Sequence, residues 1–134
     1  MFRGVLLTIL AATMAACGQK SPAAPTEPTR VIGLSGNLAF GNVPIGQPTT
    51  RTLTISNTGN STMTVNYIFF VGGSRQSGGY SAGGFGAQIA PSTSLDVPVM
   101  FLPLEEAEYD TQLNVQSDAT SGNRQVAVSG AGVR

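Results

Sequence analysis

The chain has 134 residues, 41% of them hydrophobic and only 10% charged, and its seven basic and seven acidic side chains cancel. That length allows one domain with its own core, and the balanced charge, with no visible basic patch, argues against nucleic acid as a partner. The sequence has no histidine, no tryptophan and a single cysteine, which removes the commonest general base, the Ser-His and Cys-His pairs, the usual zinc sites and any internal disulfide. Neither an enzyme nor a cofactor is expected.

At the N-terminus, Arg3 is the only charge before Lys20, and Gly4 to Ala16 is uncharged and mostly apolar. The run is too short for a membrane span, which takes about 20 residues in a helix. It suits the charged and apolar regions of a secretory signal. Two exit sites fit. In one, ordinary cleavage follows a small-x-small triplet such as Thr13-Met14-Ala15 and leaves Cys17 as a free thiol. In the other, Cys17 is itself the first mature residue. A lone exposed thiol is a reactive liability in an exported protein, which favours the second.

The string VLLTILAATMAACGQK, with Ala15 and Ala16 ahead of Cys17, resembles the lipobox of bacterial lipoproteins. Met14 stands where that family usually carries leucine. The resemblance implies a signal peptide over 1–16, a diacylglyceryl thioether on Cys17 and usually an N-acyl chain such as palmitate. Each buried CH₂ is worth about 0.8 kcal/mol, so several chains together anchor stably without a transmembrane helix. Gly18 replaces the aspartate that commonly marks inner-membrane retention, which points to the outer membrane.

Residues 17–30 read as the lipidated cysteine and a proline-rich linker. Pro22, Pro25 and Pro28 recur every third residue, the period of a polyproline II helix. Extended at about 3.1 Å per residue, about a dozen residues would reach roughly 35–40 Å. An unstructured tether would equally hold a domain clear of the headgroups.

From Val31 to Arg134 the period is that of strands. Leu53 and Ile55 alternate with Thr52, Thr54 and Ser56. Asn57-Thr58-Gly59-Asn60 is turn chemistry, and Met63 and Val65 begin another strand. The alternation then slips: Tyr67-Ile68-Phe69-Phe70-Val71 is apolar throughout. A bulge near Asn66 or a strand buried on both faces would explain it. Gly72 to Gly86 follows, with seven glycines in fifteen residues. It lacks the Gly-Lys-Ser/Thr ending of a phosphate-binding loop. It reads as a flexible loop or as an adaptable binding loop presenting Arg75, Gln76, Tyr80 and Phe85.

Leu95, Val97, Val99 and Phe101 alternate with Ser94, Asp96, Pro98 and Met100, and Pro98 among them calls for a strand edge or an outward-facing missing N–H. Glu105, Glu106, Glu108 and Asp110 lack the spacing of a calcium loop and read as a solvated turn. Tyr109, Thr111, Leu113 and Val115 form a further alternating set, Ser117 to Asn123 a turn, and Val126 and Val128 a last strand. Period two with one wet face, broken by such turns, predicts an all-β sandwich.

Five segments occur in order: LAFGNVPIGQ, LTISNTGNSTMTV, FLP, LNVQSDA and VAVSGAG, starting at Leu38, Leu53, Phe101, Leu113 and Val126. The series resembles the domain family shared by ASPM, SPD-2 and hydin and by bacterial "choice-of-anchor D" proteins. The resemblance runs from about Leu34 to Val133 and implies an immunoglobulin-like β-sandwich of about seven or eight strands over 31–134. Within it Gly41 and Gly46 permit turns around a first strand, Phe101 anchors the core and Pro103 ends its strand. Gly130 and Gly132 would let the last strand bend. The run Leu104-Glu105-Glu106-Ala107-Glu108 departs from the glycine and small polar residues usual there. Related domains bind or scaffold proteins. The implied function is a non-enzymatic, lipid-anchored interaction module of the bacterial envelope. Its partners would be the membrane and another envelope protein, engaged by strand addition or by the glycine-rich loop. A carbohydrate- or cell-wall-binding module is the alternative, and the missing tryptophan weighs against it.

Overall fold

The computed structural model describes residues 26–72, 77–83 and 86–134. Cys17, the signal segment and the first part of the linker lie outside the described residues. The strands are β1 (Val31–Ser35), β2 (Ala39–Pro44), β3 (Thr49–Asn57), β4 (Met63–Val71) and β5 (Tyr80–Ala82). They continue as β6 (Ala87–Ile89), β7 (Thr93–Phe101), β8 (Thr111–Ser117), β9 (Ser121–Gly122) and β10 (Gln125–Val133). Two five-stranded sheets result, in the orders β5-β7-β3-β1-β9 and β2-β10-β8-β4-β6. This is the expected sandwich. The strand count exceeds expectation because β5, β6 and β9 have only two or three residues each, too short to show a period.

The alternation assigns faces as the sequence predicts. Leu53, Ile55, Val97, Val99 and Phe101 of the first sheet are buried against Met63, Val65, Leu113, Val115 and Val128 of the second. Each such side chain contributes about 1.5–3 kcal/mol relative to exposure. Phe101 is the aromatic centre, with its ring 4.6 Å from Tyr80, 5.4 Å from Phe40 and 5.2 Å from Tyr109. Pro98 pairs with Thr52 of β3, and β5 runs out opposite Val99. From Pro98 back to Thr93, β7 therefore has β3 as its one described partner, which is where a missing N–H is tolerated.

The slip in β4 is a bulge. Val65 lies opposite Ser117 of β8, but Tyr67 lies opposite Gln116, so Asn66 is the extra residue. The bulge reverses the phase of the strand. Met63 and Val65 point inward before it, and Ile68 and Phe70 do so after it. Tyr67, Phe69 and Val71 are turned outward, so the strand is not buried on both faces.

Two other expectations change. Tyr109 precedes β8 rather than belonging to it, and its hydroxyl staples the acidic turn. That hydroxyl accepts from the backbone N–H groups of Leu104 and Glu105 and donates to the Glu105 carbonyl. The register of β10 does shift across Gly130, but both late glycines serve close packing. A Cβ on Gly130 would come within 2.6 Å of the Phe101 ring, and one on Gly132 within 2.2 Å of the Glu105 carbonyl oxygen.

The predicted Asn57–Asn60 turn locks the sandwich. The buried Asn57 carboxamide donates to the carbonyls of Ser61 (2.8 Å) and Ile89 (3.0 Å). Its oxygen accepts from the N–H of Gly59 (3.0 Å) and of Val31 (3.3 Å). Val31 opens β1 in one sheet and Ile89 closes β6 in the other, so one side chain ties the two sheets together. Asn60 extends the lock to the linker: its side chain accepts from Thr29 N–H at 2.7 Å and donates to Glu27 O at 3.1 Å. The end of the linker is therefore docked on the domain.

Candidate functional site

Of the expected loop residues, Arg75, Gln76 and Phe85 lie outside the described residues. Tyr80 belongs to the core, which corrects its assignment as a contact residue. It is 8% exposed, stacks on Phe101 and Phe70, and donates a 2.7 Å hydrogen bond from its hydroxyl to the Tyr109 carbonyl. Burial, with lesser contributions from Asp110 and Tyr109, pushes its phenol well above the ordinary tyrosine range. A side chain so enclosed offers a partner no surface.

The acidic turn is a solvated surface. Glu105, Glu106, Glu108 and Asp110 are exposed, and Glu106 pairs with Arg134 at 3.1 Å. Among the described residues no cluster of acidic, histidine or cysteine side chains could hold a metal ion. A depression of about 380 Å³ beside Ser56, Asn57, Thr58, Ser92, Thr93 and Ser94 has the fully engaged Asn57 as its buried polar group.

The outer face of the second sheet is different. Tyr67, Phe69 and Val71 are 48%, 41% and 44% exposed, and the first two rings lie 5.7 Å apart. Beside them β8 contributes Gln112, Asn114 and Gln116, and β10 contributes Gln125 and Ala127. Asn114 lies in register between Phe69 on one side and Gln125 on the other. A depression of about 430 Å³ opens here, lined by Phe69, Asn114, Gln116, Asn123, Arg124 and Gln125 among others. Asn114 is 9% exposed, and its carboxamide meets no hydrogen-bond partner among the described residues.

The edge of the same sheet is also open. β6 covers β4 from Met63 to Val65, and beyond Val65 no described strand pairs that side. The signal for this surface was present in the sequence. An apolar run in a period-two strand must place alternate members outside unless a second layer covers them.

No curated protein matches the chain. Among solved structures, the ASH/PapD-like domain 7 of human CEP192 is similar with a TM-score of 0.59 at 11% identity, covering 89% of this chain and 96% of that one. A Porphyromonas gingivalis protein of unknown function is similar with a TM-score of 0.62 at 16% identity, covering 84% of this chain. The VesB protease of Vibrio cholerae is similar with a TM-score of 0.52 at 14% identity over 74% of this chain. The chain spans 51% of the Porphyromonas protein and 30% of the protease. Such likenesses establish the fold alone. Residues 31–131 match the model of the HYDIN/CFA65/VesB-like Ig-like domain, a span that takes in all of the sandwich but the last two residues of β10, and the chain belongs to this family of immunoglobulin-like domains.

Proposed function

We propose that this protein is a non-enzymatic interaction module, fixed to the bacterial outer membrane through lipid on Cys17, that binds another envelope protein by strand addition. Membership of an immunoglobulin-like family supports an interaction role, because domains of this kind serve as protein-binding modules. The observation that carries the reading is the distal half of β4. There a strand side that no described strand pairs borders the exposed Tyr67 and Val71. A free edge offers a row of backbone donors and acceptors, and flanking apolar side chains supply pockets for alternate residues of an added strand.

Two experiments test the reading separately. Mass spectrometry of the mature N-terminus is expected to find acylated Cys17, and Cys17→Ser to release the protein from the membrane fraction. Membrane retention of Cys17→Ser would refute the anchor. For the edge, a photo-crosslinker at Val71 is expected to capture one envelope protein, with capture abolished by Tyr67→Lys. Equal capture from a crosslinker at Met100, on the opposite sheet, would refute the edge.

A further inference from the structure

We infer that the β4 edge pairs with the same edge of a second copy of this chain, so that the protein by itself is a two-fold dimer held by antiparallel β4 strands. The inference rests on the reading that this edge accepts an added strand, and it names the strand that occupies it when no other protein is bound. The other edges are closed in recognisable ways. β9 has two residues and β5 three, too short to template a partner. β2 is interrupted by Gly41 at φ +69° and ends at Pro44. The first half of β3 has no described neighbour on the β1 side, because β1 pairs only from Thr54 onward. Arg51 closes that gap. Its guanidinium lies 5.8 Å from the centre of the core Phe40 ring. Nη1 donates to the Asn37 carbonyl at 3.4 Å, and Nε is buried with no partner among the described residues. A charge turned inward at an edge opposes pairing with a further strand.

After the Asn66 bulge, β4 carries none of these devices. No charged residue lies between Arg51 and Arg75, and the neighbouring β8 has none. The free stretch is Tyr67–Val71, five residues of high strand propensity without proline or glycine. An uncharged segment of this kind is suited to pairing with a copy of itself, since like charges directly opposite would oppose the contact and here there are none. Its odd length fixes the register, because residues directly opposite in antiparallel strands share a face. Centred on Phe69, the pairing sets Tyr67 opposite Val71 of the second copy, Ile68 opposite Phe70 of the second copy and Phe69 opposite its own counterpart. Outward residues then meet outward ones, and inward residues inward ones. A shift of one residue would set the two faces against each other. A shift of two would run the ladder onto the bulged Asn66 or onto Gly72 at φ +138°. The contact is self-complementary and closes as a two-fold dimer. Tyr67, Phe69 and Val71, all well exposed in one copy, each gain an apolar cross-strand neighbour.

The test is sedimentation equilibrium of the full chain in a density-matched detergent, with no other protein present. The expected result is a dimer that forms at or below about 100 µM. Phe69→Lys and Phe69→Glu are each expected to weaken it at least about tenfold, because each sets two like charges face to face. An equal mixture of the two variants is expected to restore the dimer, since lysine then faces glutamate. Phe69 points outward, so both variants keep the core, and unchanged thermal unfolding checks this. A photo-crosslinker at Tyr67 is expected to attach at Val71 of the second copy. A monomer at about 100 µM would overturn the proposal. So would a dimer that Phe69→Lys leaves unchanged, or a mixture of variants that stays monomeric. Strand addition by another envelope protein is judged separately, in cells. Capture of such a protein at Val71 without any dimer of the pure chain would overturn the self-pairing and leave that reading standing; a dimer without such capture would do the reverse.

Discussion

Removing the Asn57 side chain is expected to destabilise the domain more than any other single polar truncation at its surface or turns. Asn57→Ala strips the acceptor from Val31 N–H and Gly59 N–H and the donor from the Ser61 and Ile89 carbonyls. Each hydrogen bond contributes about 1 kcal/mol net, and more where the abandoned group stays buried. Four bonds give about 4 kcal/mol. Val31 and Ser61 are only half-buried, so water re-pairs part of the loss and about 3 kcal/mol remains. Domains of this size have about 5–15 kcal/mol in total and lose about 4–8 °C of Tm per kcal/mol, so a fall of about 12–24 °C is expected. The assay is urea unfolding followed by circular dichroism, in which the midpoint drops while the slope is unchanged. Asn57→Asp keeps the acceptor but sets a second acceptor oxygen against two carbonyls, and is expected to lose at least as much. A loss below about 1 kcal/mol for Asn57→Ala, or wild-type stability for Asn57→Asp, would refute the view that this side chain ties the sheets together.

Asn114→Val is expected to raise stability by up to about 1 kcal/mol, because valine suits a strand interior better than asparagine; calorimetry showing a loss above about 1 kcal/mol would mean that the carboxamide is paired. Because burial raises the Tyr80 phenol in the folded state, its contribution is intact below the ordinary tyrosine pKa of about 10 and declines above it, as the unfolded chain loses the proton first. Alkaline unfolding of Tyr80→Phe is therefore expected to set in at higher pH than in the wild type, at a neutral-pH cost of about 1 kcal/mol for the bond to the Tyr109 carbonyl; identical alkaline midpoints would count against it.

How far the chain could be read in advance differs from residue to residue. Leu53, Ile55, Val97 and Phe101 were assigned to the core from alternation alone, because a strand exposes one face and the pattern is local. The Asn66 bulge was legible as a change of phase within β4. Asn57 was legible as a turn residue but not as the tie between sheets, since Ile89 is 32 positions away. Tyr80 was misplaced because glycine surrounds it in sequence. Its neighbours in space are Phe101 and Tyr109, and no local pattern announces them. The Asn114 depression was invisible because Phe69, Asn114 and Gln125 meet only through the registers of β4, β8 and β10.

By itself, then, the sequence determined the all-β class, the faces of the long strands, the turns between them and the family, all of which follow from period-two patterning and short-range backbone preferences. It also carries the lipobox-like string at Cys17, a pattern of consecutive residues that depends on no fold. Tertiary structure alone decided which exposed side chains share a surface. It withdrew Tyr80 from that surface and placed Asn114 beside the exposed rings of Tyr67 and Phe69. The reason is physical: strand faces follow from neighbours one and two residues apart, whereas a binding surface is assembled by pairing registers between segments tens of residues apart.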